Sequence, residues 1–354
     1  MFLKKKVELL ILLALLATHS GFAKQSNVSI TSLKATPQLQ KAFDFILAEE
    51  KQNEVDLIRL TEIPAPPFME EARAKHFAAM LKASGADDVQ IDGVGNVIAT
   101  IKGNVGSKTI AVAAHLDTVF PPDTVIKVRR EGSRLVAPGV GDNTRGLIMV
   151  NTLMKAIHAA QIKMQANVLL LGTVGEEGLG DLRGVKYLFR DGAPRIDSFI
   201  AIDGNTPGRI VTSAIGSNRY RVTFSGPGGH SWRAFGHANP HHALGHAIAL
   251  FDEMAASVTD EGEKSSYNVG RIGGGTSVNS IPFSSWMEVD IRSGSQDRLE
   301  KLDGIFKRAL QQALLTENSA RKLGPELTLA IKKVGERPSA KGEKESGLIQ
   351  KMLE

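Results

Sequence analysis

The stretch Thr109-Ile110-Ala111-Val112-Ala113-Ala114-His115-Leu116-Asp117 decides the reading of this chain. Residues 110–114 are a short unbroken apolar run, as expected of a strand buried on both faces. The run leads directly into an imidazole and a carboxylate. Two more runs of the same kind lie downstream, at residues 168–174 and 199–202. The first enters Gly175-Glu176-Glu177-Gly178 and the second enters Asp203-Gly204. Helical patterns separate them, over residues 146–160 and about 182–190. Strands alternating with helices predict an α/β domain, a mostly parallel sheet with helices on both faces.

Working outward, residues 37–62 carry apolar positions at helical spacing until Pro64, Pro66 and Pro67 break the pattern. A second helix is expected over 70–82, then strands at 89–91 and 97–101 around a glycine turn. After residue 215 the rhythm changes. A strand at 219–224, a helix at 240–256, strands at 266–272 and 285–292, a helix at 296–315 and a strand at 326–334 give the order β-α-β-β-α-β. That is the ferredoxin-like α+β motif, so residues 215–335 should form a domain of their own. The Gly273-Gly274-Gly275 run reads as a tight connection between its middle strands. No helix start or P-loop lysine follows it, so it is no phosphate cradle.

Composition removes several classes of function. The chain has 354 residues, 42% of them hydrophobic, and no cysteine. Thiolate metal sites, disulfides and cysteine nucleophiles are therefore excluded, and any metal must bind through His, Asp and Glu. The net charge is +5, without a dense Lys/Arg stripe interleaved with aromatics, so nucleic acid is not an expected partner. At the amino terminus Lys4, Lys5 and Lys6 precede an apolar run over residues 9–17 and then Gly21-Phe22-Ala23. This reads as a cleaved secretory signal over residues 1–23, implying export to the periplasm or beyond the cell. The run is too short to span a bilayer comfortably, so no stable membrane insertion is expected.

Ligands of open α/β sheets bind beyond the carboxyl ends of the strands, and His115, Glu176, Glu177 and Asp203 all fall there. Gly141-Asp142-Asn143 precedes an apolar helix and adds Asp142. Gathering so many carboxylates costs several kcal/mol each unless cations neutralise them. With only nitrogen and oxygen donors, zinc leads, and cobalt and manganese are the alternatives. His115 offers a ring nitrogen, and Asp117 is placed to accept the other ring N–H. A carboxylate such as Asp142 can be shared by two cations. Of the neighbours Glu176 and Glu177, one can ligate while the other acts as general base.

These motifs, with Ser225-Gly226-Pro227-Gly228-Gly229-His230-Ser231 and Gly274-Gly275-Thr276-Ser277-Val278-Asn279, occur in one order over most of residues 40–340. In that set the chain resembles the dinuclear zinc aminoacylase/carboxypeptidase superfamily, most closely its peptidase T-like branch. The resemblance implies that His115 binds one zinc with Asp117 behind it, and that Asp142 bridges two. It implies Glu177 as a ligand of one zinc, Asp203 as a ligand of the other, and Glu176 as general base. It also implies a catalytic domain whose first part is residues 37–214 and a dimerisation (lid) domain over 215–335. His230 would reach a partner's site across a homodimer and steady the oxyanion. Asn279 and Arg292 would contact a substrate carboxylate. The expected reaction is hydrolysis of amide bonds in small peptides or N-acyl amino acids.

Residues 336–354 resemble only the start of the family's returning catalytic segment. No histidine follows His246, whereas the family's last ligand is a histidine near its end. The alternative expectation is therefore a truncated, catalytically inactive remnant that keeps the dimerisation domain. His237, His241, His242 and His246 show ligand-like spacing, but an exposed or dimer-facing helix is the expected reading.

Overall fold

The computed structural model describes residues 30–105, 108–204, 206 and 208–354. The export segment read at residues 1–23 lies outside them. Among the described residues no helix is long and apolar enough to cross a membrane. The chain divides into two units. One combines the residues up to Ile210 with Glu343–Glu354, and the other is Val211–Gly342.

The first unit begins with α1 (Ile30–Lys34), α2 (Pro37–Ala48), α3 (Glu50–Thr61) and α4 (Glu71–Ala83). Pro37 stands in the first turn of α2, where its missing N–H costs nothing. The single helix expected over residues 37–62 is in fact two. Glu49 takes φ −78° and ψ 0° and turns the chain before α3 restarts. Then come β1 (Asp88–Ile91), β2 (Val97–Ile101), β3 (Thr109–His115), a hairpin of β4 (Arg129–Glu131) and β5 (Arg134–Val136), α5 (Arg145–Ala159), β6 (Asn167–Thr173), α6 (Arg183–Leu188) and β7 (Ser198–Ala201).

The sheet order is β1-β2-β6-β3-β7. β3 is parallel to β6 and to β7, and β2 is antiparallel to both β1 and β6, so β2 alone runs against the others. Ile110, Val112, Val168 and Leu170 point to one face, where they are buried with α2, α4 and the almost wholly apolar α5. A helix that is apolar nearly all round belongs inside a core. The alternate residues Ala111, Ala113 and Leu171 point to the opposite face, where Leu188 of α6 covers them. The late helix Gly347–Leu353 adds Leu348 and Met352 to the larger core.

The second unit contains β8 (Ser213–Ala214), β9 (Gly216–Ser225), β10 (Gly229–His230), α7 (Pro240–Thr259), β11 (Ser265–Gly274), β12 (Ser280–Ile281), β13 (Ser284–Ser293), α8 (Gln296–Ala320), β14 (Thr328–Arg337) and β15 (Ala340–Lys341). Its main sheet has the order β11-β13-β9-β14, antiparallel throughout. Alternate residues such as Tyr220, Val222, Phe224, Met287, Val289 and Ile291 are buried against α7 and α8. This is the separate α+β layer that the second sequence rhythm implies.

Candidate metal centre

His115 is the last residue of β3 and is 4% exposed. Asp203 follows β7, and Glu176 and Glu177 follow β6. Asp142 sits in the tight turn Val140–Thr144 that feeds α5, and the Asp142–Asn143 peptide bond is cis. Asn143 Nδ2 donates to the Ile202 carbonyl at 2.7 Å, tying this turn to the end of β7. Neighbouring parallel strands thus bring side chains from four separate stretches to one sheet edge.

Ligand atoms of His115, Asp142 and Glu177 all lie within 4.8 Å of one another. His115 Nε2 is 2.9 Å from Asp142 Oδ1 and 3.9 Å from Asp203 Oδ1. Burial opposes a charge on the ring, but the Asp117 and Asp142 carboxylates, aided by Asp203, outweigh it and raise the His115 pKa to about 10. The hydrogen bond from His115 in turn holds Asp142 below the usual carboxylate range. Burial, then the charges of Glu176 and Asp142, push Glu177 up to about 7. One imidazole among crowded carboxylates is a donor set suited to a divalent cation, which would relieve that repulsion.

Asp117 departs from its expected geometry. His115 Nδ1 lies 2.9 Å from the Asp117 backbone carbonyl and 3.6 Å from its carboxylate, so the carbonyl is the nearer partner. The carboxylate, fully buried, accepts instead from the backbone N–H groups of Glu176 at 3.0 Å and Glu177 at 2.8 Å. Burial pushes its pKa up, but His115 and these two N–H donors prevail and hold it low. Asp117 therefore fixes the loop that presents both glutamates.

Two supports have no sequence signal. Arg73 on α4 is wholly buried and donates to the carbonyls of Ile63, Thr61 and Leu116, the last of which lies between His115 and Asp117. Burial lowers its pKa to about 10 against the pull of Asp117. Arg73→Met is expected to orphan three carbonyls and lower stability by about 3 kcal/mol or more in urea melts. Glu70, also buried, receives a two-pronged bond from Arg183 at 2.9 and 2.7 Å. Arg183 packs under Gly175, where φ is +65° and a Cβ would fall 2.2 Å from Nη1 of Arg183, so only glycine fits.

The remaining candidates are in the second unit. His230 of β10 pairs with Ser280 of β12, and Ser231 N donates to the Asn279 carbonyl at 2.9 Å, so His230 and Asn279 share one corner. The His230 ring is exposed and its Nδ1 accepts from Trp232 N at 3.2 Å, which leaves the ring proton on Nε2. Arg292 is not in that corner. It lies eight residues along β13 from Ser284, about 27 Å at strand spacing, and its Nε donates to Asp290 at 2.6 Å. His237, His241 and His242 face separate partners, namely the Gly228 carbonyl, Ser285 Oγ and Glu317.

A cavity of about 640 Å³ opens beside the cluster. Asp142, Glu177 and Arg145 line it together with Leu57, Val119, Phe120 and Leu135.

Such a fold and cluster define an α/β protein with a candidate site for a divalent cation and an inserted α+β unit. The sequence profile of peptidase family M20/M25/M40 matches residues 111–320, and the chain belongs to that family. YqjE of Bacillus subtilis, an uncharacterised protein, is 24% identical over 242 residues, which cover 66% of this chain and 62% of YqjE. The chain thus spans less than two thirds of that relative. Two solved structures share the fold. The aminopeptidase PepT of Bacillus cereus has a TM-score of 0.63 and 20% identity, covering 85% of this chain and 79% of its own. The dipeptidase Dug1p of Saccharomyces cerevisiae has a TM-score of 0.65 and 16% identity, covering 88% and 82%.

Proposed function

We propose that this chain carries a metal-dependent site hydrolysing amide bonds of small peptides or N-acyl amino acids. The observation that carries the reading is the meeting of His115, Asp142 and Glu177 at the carboxyl ends of parallel strands, with Glu176 on the adjoining position. The aminopeptidase and dipeptidase activities of the structural neighbours agree with it. His115, Asp142, Glu177 and Asp203 would hold a zinc pair, with Asp142 shared, and cobalt or manganese are the alternatives. When bound, such a pair polarises a carbonyl and makes water acidic near neutral pH. Glu176 takes a proton from the attacking water and passes it to the leaving amine. His230 would steady the oxyanion in a partner's site, reached across a homodimer. The resemblance gives Asn279 and Arg292 the substrate carboxylate, although Arg292 already has Asp290 as its partner. Export after residue 23 and homodimerisation through the second unit complete the proposal, on the strength of the sequence.

The test is metal removal. The purified chain is expected to hydrolyse a dipeptide such as Gly-Leu, to lose that activity on dialysis against chelator, and to regain it with zinc. A chain that neither binds zinc nor cleaves such substrates after zinc is added would overturn the reading.

A further inference from the structure

The chain contains four Asp–Gly steps, at residues 92–93, 191–192, 203–204 and 303–304. Such a step can rearrange without an enzyme, because glycine has no side chain to keep its amide nitrogen away from the aspartate carboxyl. The four differ in what their carboxylates do. Asp92 accepts from the N–H groups of Val94 and Gly95 at 3.0 Å and of Asn96 at 2.9 Å, which draws it past Gly93. Asp303 lies within α8, where Tyr220 and Lys307 take its carboxylate and the Gly304 N–H belongs to the helix ladder. Asp191 stands in an exposed turn closed by Ala193 N on the Arg190 carbonyl at 3.0 Å. At Asp203 the carboxylate rests on the next residue's own amide, Gly204 N donating to Asp203 Oδ1 at 2.5 Å.

The backbone around this contact is clamped on both sides. The Ile202 carbonyl accepts from Asn143 Nδ2 at 2.7 Å, and the Gly204 carbonyl accepts from Arg145 Nη2 at 2.9 Å. The amide and the carboxylate are therefore kept together. The Asp203 side chain is 50% exposed, so water reaches it. Gly204 has φ +69°, and beyond its chain neighbours no atom lies within 4 Å of where a Cβ would stand, which leaves room for a ring to close. Asp203 Oδ1 is also 3.9 Å from His115 Nε2, within the proposed ligand set. One carboxylate thus has two possible partners, a cation or its own backbone.

We propose that Asp203–Gly204 is a self-modification site that isomerises to isoaspartate in the metal-free chain and is protected when Asp203 ligates a cation. The Gly204 nitrogen bonds to Asp203 Cγ and gives up its proton. One carboxylate oxygen departs with that proton and a second from solvent, as water, and a five-membered succinimide closes. Water then opens the ring at either carbonyl, restoring aspartate or leaving isoaspartate. Only water and a proton are exchanged with solvent, so no oxidant, reductant or donor is required. Isoaspartate routes the backbone through Cγ and shortens the side chain by one methylene. Its carboxylate then no longer stands where that of Asp203 stood. A ligated carboxylate is fixed by its metal and does not shed an oxygen. A site left without metal therefore ages into one that no longer takes it. Protection by metal rests on the proposed metal site, whereas the isomerisation itself does not.

The test is to age the full chain with chelator and with zinc, then map its peptides by electron-transfer mass spectrometry, which separates aspartate from isoaspartate. Without metal, isoaspartate should accumulate at Asp203 and stay absent from Asp92 and Asp303. With zinc at about 100 times its Kd, about 1% of chains are metal-free, so the rate at Asp203 should fall about 100-fold. Asp191 serves as the reference, and its rate should not respond to zinc. The aged metal-free chain should bind zinc at least about 10-fold more weakly, since losing a ligand exceeds losing an outer partner. Gly204→Ala, which crowds the nitrogen, should largely abolish the change. Asp203→Asn should speed it, because ammonia then leaves from a neutral amide, and this variant serves if the alanine variant does not fold. No isoaspartate at Asp203 in the metal-free chain would overturn the inference. Zinc that binds without slowing Asp203 would overturn the protection. A chain that isomerises at Asp203 but binds no zinc would defeat the hydrolase reading and leave the modification site standing.

Discussion

Glu176→Gln should leave the bound metal in place while kcat falls about 10²- to 10⁴-fold, the usual contribution of a positioned general base. The substitution keeps the size and hydrogen-bonding reach of the side chain and removes its basicity. The loop is insulated from the change, because the Glu176 backbone N–H is held by Asp117 at 3.0 Å and the neighbouring Glu177 N–H at 2.8 Å. The electrostatic side effect also favours metal retention. The charge of Glu176 is one cause of the raised pKa of Glu177, so removing it should bring Glu177 down and make it a better ligand at neutral pH. Metal content by atomic emission and initial rates on a dipeptide separate the two effects. Turnover close to that of the wild type would remove Glu176 from the base role.

Asp142→Ala should have the opposite profile, losing metal first and activity as a consequence. Losing a partner that merely orients a ligand costs ~10- to 100-fold in metal affinity, and loss of a ligand should exceed that. Asp142 is also the near neighbour of His115 Nε2 at 2.9 Å and one reason the ring stays protonated to about pH 10. In the metal-free chain a proton thus occupies the position a cation would take, and metal must displace it. The sign follows from linkage. The folded pKa of His115 lies above its ordinary 6.5, so its proton stabilises the metal-free fold fully below that value. That contribution is lost as pH rises through about 10, whereas a metal-bound ring is neutral throughout. The gain in melting temperature on adding zinc should therefore grow from pH 6 to pH 8 in the wild type. In Asp142→Ala the gain should be small at both. A zinc-induced shift as large as that of the wild type would show that Asp142 is no ligand.

How much of this was legible in the sequence depends on distance along the chain. The junction from residues 110–114 into His115 is visible because a strand buried on both faces must be continuously apolar, and the polar residues at its end stand out. The same holds at Glu176, Glu177 and Asp203. The second rhythm is legible for a related reason, since β9 and β13 alternate inward and outward residues against one helical layer. Arg73 was not legible, because its position on α4 looks like any helical arginine and one of the carbonyls it binds is 43 residues away. Glu70 and Arg183 meet across 113 residues. The hairpin β4–β5 is too charged and too short to show an alternating pattern. For Asp117 the spacing to His115 correctly placed the side chain nearby, but could not reveal that backbone groups about sixty residues on would claim its oxygens.

The helix Gly347–Leu353 returns to the first core only after the whole of Val211–Gly342 has intervened. During synthesis Leu348 and Met352 emerge only after Val211–Gly342, so the first core must wait with part of its apolar surface uncovered while an entire second core is being made. The ends of the intervening piece are fastened to each other, β8 to β15 and Gly342 N to the Thr212 carbonyl. It can therefore close on itself as soon as it leaves the ribosome, and by closing it brings the late helix back within reach of the surface left waiting.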